Sequence, residues 1–264
     1  MSLHKNRKPT GTFEDLVELM SILRKECPWD KKQTHESIKD LMVEEIYEAI
    51  DAIDRKDYDD LRKELGDLLL HIVFHGEMAA EKKHFNINDV IYGIQEKLIR
   101  RHPHVFDEVD VSGSEQVTRN WESIKMTEGG RKSVLEGVPE TLPGLLRAQR
   151  MQEKAGAVGF DWKFWEQAWE KLEEELDEFK TRVDEQNQEE ARKEFGDLLF
   201  SVVNVGRLLK IDAEDSIRLT NRKFQQRFEF IEKKLSKKEL SPKNVTLEEM
   251  DKIWEESKTY EQGP

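Results

Sequence analysis

A single cysteine, Cys27, stands in the chain of 264 residues, so no disulfide can form within it. No apolar run approaches the ~20 residues that a transmembrane helix needs. The opening segment, MSLHKNRKPTGTFEDL, lacks the apolar centre of a secretory signal, and a cytoplasmic protein with no membrane contact is expected. Positive charge is in deficit: 43 Lys and Arg against 56 Asp and Glu leave a formal net charge of -13. That balance argues against non-specific binding of DNA or RNA. It leaves room for a nucleotide held by metal and a few local cations. Strand signals are also missing, and apolar residues recur at helical intervals through most of the chain.

What is present is a duplication. Phe13, Leu16, Leu19, Met20 and Leu23 space one helix over 13–25, which Cys27-Pro28-Trp29-Asp30 ends. Thr34 can cap the next, which runs to about Arg55, and a third is expected from Tyr58 to His84 after a turn at Lys56-Asp57. A fourth covers 87–101. The second half repeats the order. Met42, Ile46, Ala49 and Ile53 correspond to Leu172, Leu176, Phe179 and Val183, and RKELGDLLLHIV (62–73) corresponds to RKEFGDLLFSVV (192–203). Asp89, Lys97 and Arg101 correspond to Asp215, Lys223 and Arg227, and Trp121-Glu122 with Lys125 to Trp254-Glu255 with Lys258. The pattern predicts an all-α chain of two small helical bundles, over 1–126 and 145–264, with the Gly- and Pro-containing segment 127–144 as linker.

Each half carries the same acids. EExxE at Glu44-Glu45 and Glu48 precedes Glu64 and Asp67; EExxE at Glu174-Glu175 and Glu178 precedes Glu194 and Asp197. Residues three apart on a helix project from one face, so two facing helices would gather four carboxylates. A lone EExxE in so acidic a chain is most often a solvated face. Here it recurs with its partner, and ExxD lies in the apolar stretch FGDLLFSVV, where unpaired carboxylates are costly. Oxygen-only ligands suit Mg²⁺, with Mn²⁺ as a substitute. Glu175, Glu178, Glu194 and Asp197 are the expected metal ligands, with Glu45, Glu48, Glu64 and Asp67 as a possible second site. Glu174 could orient a water. Gly66 and Gly196, repeated inside helices at about 1 kcal/mol each relative to Ala, suggest close approach of a backbone or ligand.

A di-iron bundle would place His three residues after Glu, and here that residue is Glu48, Asp67, Glu178 or Asp197. His71 and His75 have Ser201 and Val205 as counterparts, so they read as packing or surface residues. Lys171, Lys193, Lys223 and Arg227 are the cations nearest the second cluster in the repeat pattern, and Lys223 and Arg227 lie one turn apart. Trp254 could stack on a base or serve as a core aromatic. The first half has Leu41 where the second has Lys171.

Cys27-Pro28-Trp29-Asp30, Gln33-Thr34-His35, the acids, ELGDLL (64–69) and RRHPHVF (100–106) closely resemble the MazG nucleoside triphosphate pyrophosphohydrolases. Gly159-Phe160-Asp161-Trp162, EFGDLL (194–199) and Lys223-Phe224 extend the likeness over almost the whole chain. The resemblance implies tandem MazG-type bundles in an intertwined homodimer, and Mg²⁺-dependent hydrolysis of NTPs and dNTPs to NMP and pyrophosphate with broad base tolerance. It implies that the second domain is the main catalytic unit. Within it, Lys171, Glu174, Glu175, Lys193, Lys223, Arg227 and Trp254 would contact nucleotide, and of these Glu174, Glu175, Lys223 and Arg227 would carry the chemistry. Nucleotide-pool or stress-response duty follows. Two other readings stand beside it: a non-catalytic metal- and nucleotide-binding regulator acting through protein partners, and a helical scaffold whose acids are surface decoration.

Overall fold

The computed structural model describes residues 7–107, 109–113, 116–117, 120–121, 124 and 133–261. All described elements are helical. The chain divides into two compact units, Met1–Trp121 and Glu122–Pro264. Of the expected linker, residues 127–132 lie outside the described set, as do Glu122 and Lys125; from Ser133 on, short turns lead to the next helix.

In the first unit α1 (Phe13–Glu26) begins at Thr12, whose side chain accepts from the Asp15 amide. A short 3₁₀ turn, Asp30–Lys32, precedes α2 (His35–Arg55). Thr34 and Ser37 form a reciprocal capping box there, which satisfies amides that a helix start leaves open. Lys56 takes a left-handed conformation, φ 56°, and α3 (Tyr58–Glu81) follows from its cap Asp57. The helix ends before the expected His84. Lys83 is left-handed at φ 59°, and the His84 amide turns back to the Ala79 carbonyl at 3.0 Å. The helices α4 (Ile87–Arg101) and α5 (Pro103–Phe106) follow. Met20, Ile38, Val73, Phe74, Met78 and Ile87 form its core, drawn from α1 to α4.

The CPWD and QTH motifs have a structural explanation. The buried guanidinium of Arg24 donates to Glu81 from Nε at 2.7 Å, to the Gln33 carbonyl at 3.1 Å and to the Asp30 carbonyl. One side chain thus holds the whole connection between α1 and α2 against the end of α3. His35 then meets His75 Nδ1 to Nδ1 at 2.7 Å. His71 is buried, as packing required.

The second unit contains α6 (Gly144–Ala157), α7 (Trp165–Asp184), α8 (Gln188–Leu208), α9 (Ala213–Ser236) and α10 (Leu247–Glu261). The turn between α7 and α8 repeats the first unit's: Gln186 is left-handed at φ 56° and Asn187 caps α8. α7 and α8 pair as a hairpin, with Phe179 against Phe195 at 5.4 Å between ring centres. Ile231, Leu235 and Ile253 form a smaller core between α9 and α10.

The apolar stripes do not all turn inward. Ala49 is buried, but Ile46 and Ile53 are exposed, because pairing of α2 with α3 buries the face that carries Ala49 and Ala52. Repeat-matched residues share that exposure: Ile46 and Leu176, Ile53 and Val183, Leu65 and Phe195, Leu69 and Leu199, Ile72 and Val202. A Cβ built on Gly66 or Gly196 would meet nothing within 4 Å. No described part of this chain approaches either glycine, so the close approach expected there is not made within the chain.

Candidate metal and nucleotide site

The helical hairpins bring the duplicated acids together as threes. Carboxylate oxygens of Glu175, Glu194 and Asp197 all lie within 4.8 Å of one another, and so do those of Glu45, Glu64 and Asp67. Mg²⁺ takes oxygens at ~2.0–2.1 Å, so ligands across the ion stand about 4.1 Å apart, and a slight closing of either group would fit it. The fourth acid of each set, Glu178 or Glu48, is exposed and lies outside these groups.

The two clusters differ in their neighbours. In the second unit Lys171 reaches Glu174 at 2.8 Å and the buried Glu175 at 2.7 Å. Those two carboxylates, Glu174 first, raise the Lys171 pKa and keep it charged. Arg182 pairs with Glu185 at 3.0 Å and stands 3.6 Å from Glu194. In the first unit the matched positions are Leu41 and Ala52. There burial, and then repulsion from Asp67, Glu48 and their neighbours, push the Glu45 carboxyl up. Burial and repulsion from Asp60 and Glu48 do the same to Glu64. Carboxylates forced together without a counter-ion favour the protonated form, and a divalent cation would relieve the same repulsion.

The second cluster also opens into a cavity of about 770 Å³. Lys171, Glu175 and Asp197 are among the residues that line it, and Phe160, Trp162 and Phe200 contribute aromatic wall. The loop carrying Phe160 is held by Arg207, whose guanidinium donates to both oxygens of Asp161 at 2.9 and 2.5 Å. Gly156 permits this closure, since a Cβ there would come within 2.7 Å of the Asp161 carboxylate.

The remaining sequence candidates lie apart from this cavity. Lys193 is exposed and pairs with Glu190 at 2.7 Å. Lys223 and Arg227 sit on α9, with Arg227 over the Trp254 ring at 5.3 Å, and Phe224 also against Trp254 at 5.3 Å. The first unit repeats that stack with Arg101 over Trp121 at 5.0 Å. Within one chain none of Lys223, Arg227 and Trp254 lines the cavity. Sequence reasoning missed Arg182, Gln152, Asn204 and Arg207. Asn204 carried a signal: it is polar where the repeat has Phe74, inside the apolar run FSVVNV.

The profile of the MazG nucleotide pyrophosphohydrolase domain matches residues 33–106 and 166–230. A nucleoside triphosphate pyrophosphohydrolase/pyrophosphatase MazG of Thermotoga maritima is 46% identical over 250 residues, spanning 93% of this chain and 95% of that protein. A nucleoside triphosphate pyrophosphohydrolase of Escherichia coli K12 is 41% identical over 257 residues, 94% of this chain and 98% of that one. A solved mazG-related protein from Thermotoga maritima overlays with a TM-score of 0.38 at 26% identity, covering 42% of this chain and 97% of its own.

Proposed function

The chain belongs to the MazG nucleotide pyrophosphohydrolase family, and on that premise we propose that it hydrolyses nucleoside triphosphates, NTPs and dNTPs alike, to NMP and pyrophosphate in the second unit. The observation that carries this reading is the convergence of Glu175, Glu194 and Asp197 within 4.8 Å, with Glu175 and Asp197 also lining an aromatic-walled cavity. Those three, with Glu178 one turn on, would hold Mg²⁺, or Mn²⁺ in its place. When bound there, the ion supplies Lewis-acid polarisation of the phosphate oxygens.

The chain's own residues do the rest. Glu174, exposed beside Glu175, would hold a water and take its proton as the water attacks the α-phosphorus. The leaving group is pyrophosphate. Lys171 bridges Glu174 and Glu175 and, on nucleotide binding, can turn its ammonium to a phosphate oxygen. Lys193, Lys223, Arg227 and Trp254 would serve the nucleotide from outside the cavity as drawn by one chain. A homodimer explains how: the matched exposed residues, Leu176, Leu199 and Val202 among them, form an apolar face on each hairpin that a second copy would cover. Gly66 and Gly196, beside open space, would admit that second backbone. We assign residues 1–126 and 145–264 as the two domains, with 127–144 between them. No described helix is long and apolar enough to cross a membrane, and we place the activity in the cytoplasmic nucleotide pool, with a stress-response role.

The test is a product-resolved assay with Mg²⁺ over the ribo- and deoxyribonucleotides. NMP and pyrophosphate are expected; NDP and inorganic phosphate from the pure protein would overturn the reading.

A further inference from the structure

Both units pin the connection that leads into their EExxE helix, and they do so with opposite polarity. In the first the cation stands on α1. Arg24 holds the carbonyls of Asp30 and Gln33 and reaches Glu81 at the end of α3, and the charge of Glu77 also acts on it. In the second, at the repeat offset of the hairpins, Lys154 takes the place of Arg24 and Arg207 that of Glu77. Here a cation on α8 grips a loop side chain: Arg207 donates to the two oxygens of Asp161 at 2.9 and 2.5 Å. Buried Asn204, on the same helix, aims the guanidinium by accepting from its Nε at 3.0 Å and from a terminal nitrogen at 2.7 Å. A two-bond pair of this kind fixes distance and plane together. The Trp162 amide donates to the same carboxylate at 2.9 Å, so the setting of Asp161 passes directly to Trp162.

We propose that Arg207 is a positioning residue for the hydrolysis: by gripping Asp161 it sets the loop 158–162 against α8, and with it the Phe160 and Trp162 wall that bound substrate meets. The proposal rests on the second unit being the nucleotide site. The loop is otherwise built to turn. Gly159 closes α6 at φ 92°, a left-handed conformation that glycine takes without strain. Phe160 is 83% exposed, so its ring does not anchor the loop in a core. The pair itself is partly open to solvent and joins a surface loop to a helix, so it adds little to global stability. Its consequence is where the loop stands, and Phe160 and Trp162 line the same cavity as Glu175 and Asp197. The first unit's pin grips backbone carbonyls; the second's grips one side chain with a cavity residue on either side of it. Gly156 belongs to the same device, because a Cβ there would come within 2.7 Å of the Asp161 carboxylate and push it off its seat.

The experiment compares the whole protein with Asp161→Asn, Arg207→Lys and Gly156→Ala, reading ATP turnover, amide hydrogen exchange and the denaturant midpoint. Gly156→Ala favours the helix while displacing Asp161, so it separates positioning from stability. Asp161→Asn and Gly156→Ala should raise KM for ATP about tenfold with kcat within about threefold, and Arg207→Lys, which keeps the charge, should lose less. Exchange over 158–164 should quicken at least about fivefold in Asp161→Asn, while exchange in α7 and α8 and the denaturant midpoint stay near wild type. Unchanged KM in Asp161→Asn and Gly156→Ala overturns the proposal. So does a loss that comes with faster exchange throughout α7 and α8, which is the mark of a merely structural pair. Should the wild type form no AMP and pyrophosphate, the hydrolysis reading fails by itself, and titration with α,β-methylene-ATP in Mg²⁺ decides the positioning role. Weaker binding in Asp161→Asn and Gly156→Ala supports it; equal binding in all, or none by the wild type, overturns it.

Discussion

Glu45, Glu64 and Asp67 in one unit, and Glu175, Glu194 and Asp197 in the other, are held by the same helical registers and the same left-handed turn. Their surroundings have diverged. The second set has Lys171 and Arg182 against it and a cavity beside it. The first has Leu41 and Ala52 at those positions, and a packed Phe74 where the cavity has Asn204. A duplicated ligand set is thus compatible with unequal duty. Carboxylates alone can hold a cation, and Lys171 and Arg182 stand beside them in one copy only.

The largest expected effect separates the copies directly. Glu175→Ala should reduce NMP formation by at least about a hundredfold, as loss of a group acting on developing charge does, while Glu45→Ala stays within about twofold. Rates of NMP release measure both. Next, Lys171→Leu, which gives the second cluster the first one's neighbour, should lower kcat/KM by about ten- to a hundredfold. Fold and apolar packing are expected to persist, because Lys171 is partly exposed and, among the described residues, its ion pairs are with Glu174 and Glu175 of its own helix.

A smaller effect concerns the first unit alone. Burial depresses the His71 pKa, and burial with repulsion from His35 and His71 depresses that of His75. A folded-state pKa below the unfolded value of about 6.5 gives stability that is present above that pH and lost as pH falls through the folded pKa. Thermal unfolding of the first unit should therefore shift downward as pH drops below about 6.5, and His71→Leu should flatten the slope. The second unit has Ser201 and Val205 at these places and supplies the internal control. Smallest of all, Arg182→Ala removes a partly exposed pair with Glu185 and Glu194, and the denaturant midpoint is expected to move little.

Much of the fold was legible because helix periodicity and the repeat are both written locally. Thr34, Lys56-Asp57 and the matched stripes place α2 and α3 and, by the repeat, α7 and α8. The acids too were legible, because an ungapped motif repeats on each hairpin. Three things were not. The end of α3 depends on one backbone conformation at Lys83, and lysine does not announce it. The clamp at CPWD and QTH depends on Arg24 reaching Glu81, a contact between α1 and the far end of α3 that no local pattern encodes. The cavity required knowing that Gln152 and Asn204, on separate helices, share a wall. Ile46 and Ile53 show a further limit: periodicity reveals an apolar face and says nothing about whether the same chain covers it.

Equilibrium titration of the whole protein with α,β-methylene-ATP in Mg²⁺ tests the unequal pair most directly. One nucleotide per chain is predicted, lost in Glu175→Ala and retained in Glu45→Ala. Two equivalent nucleotides per chain, or loss of binding through Glu45→Ala with Glu175→Ala unaffected, would contradict the account.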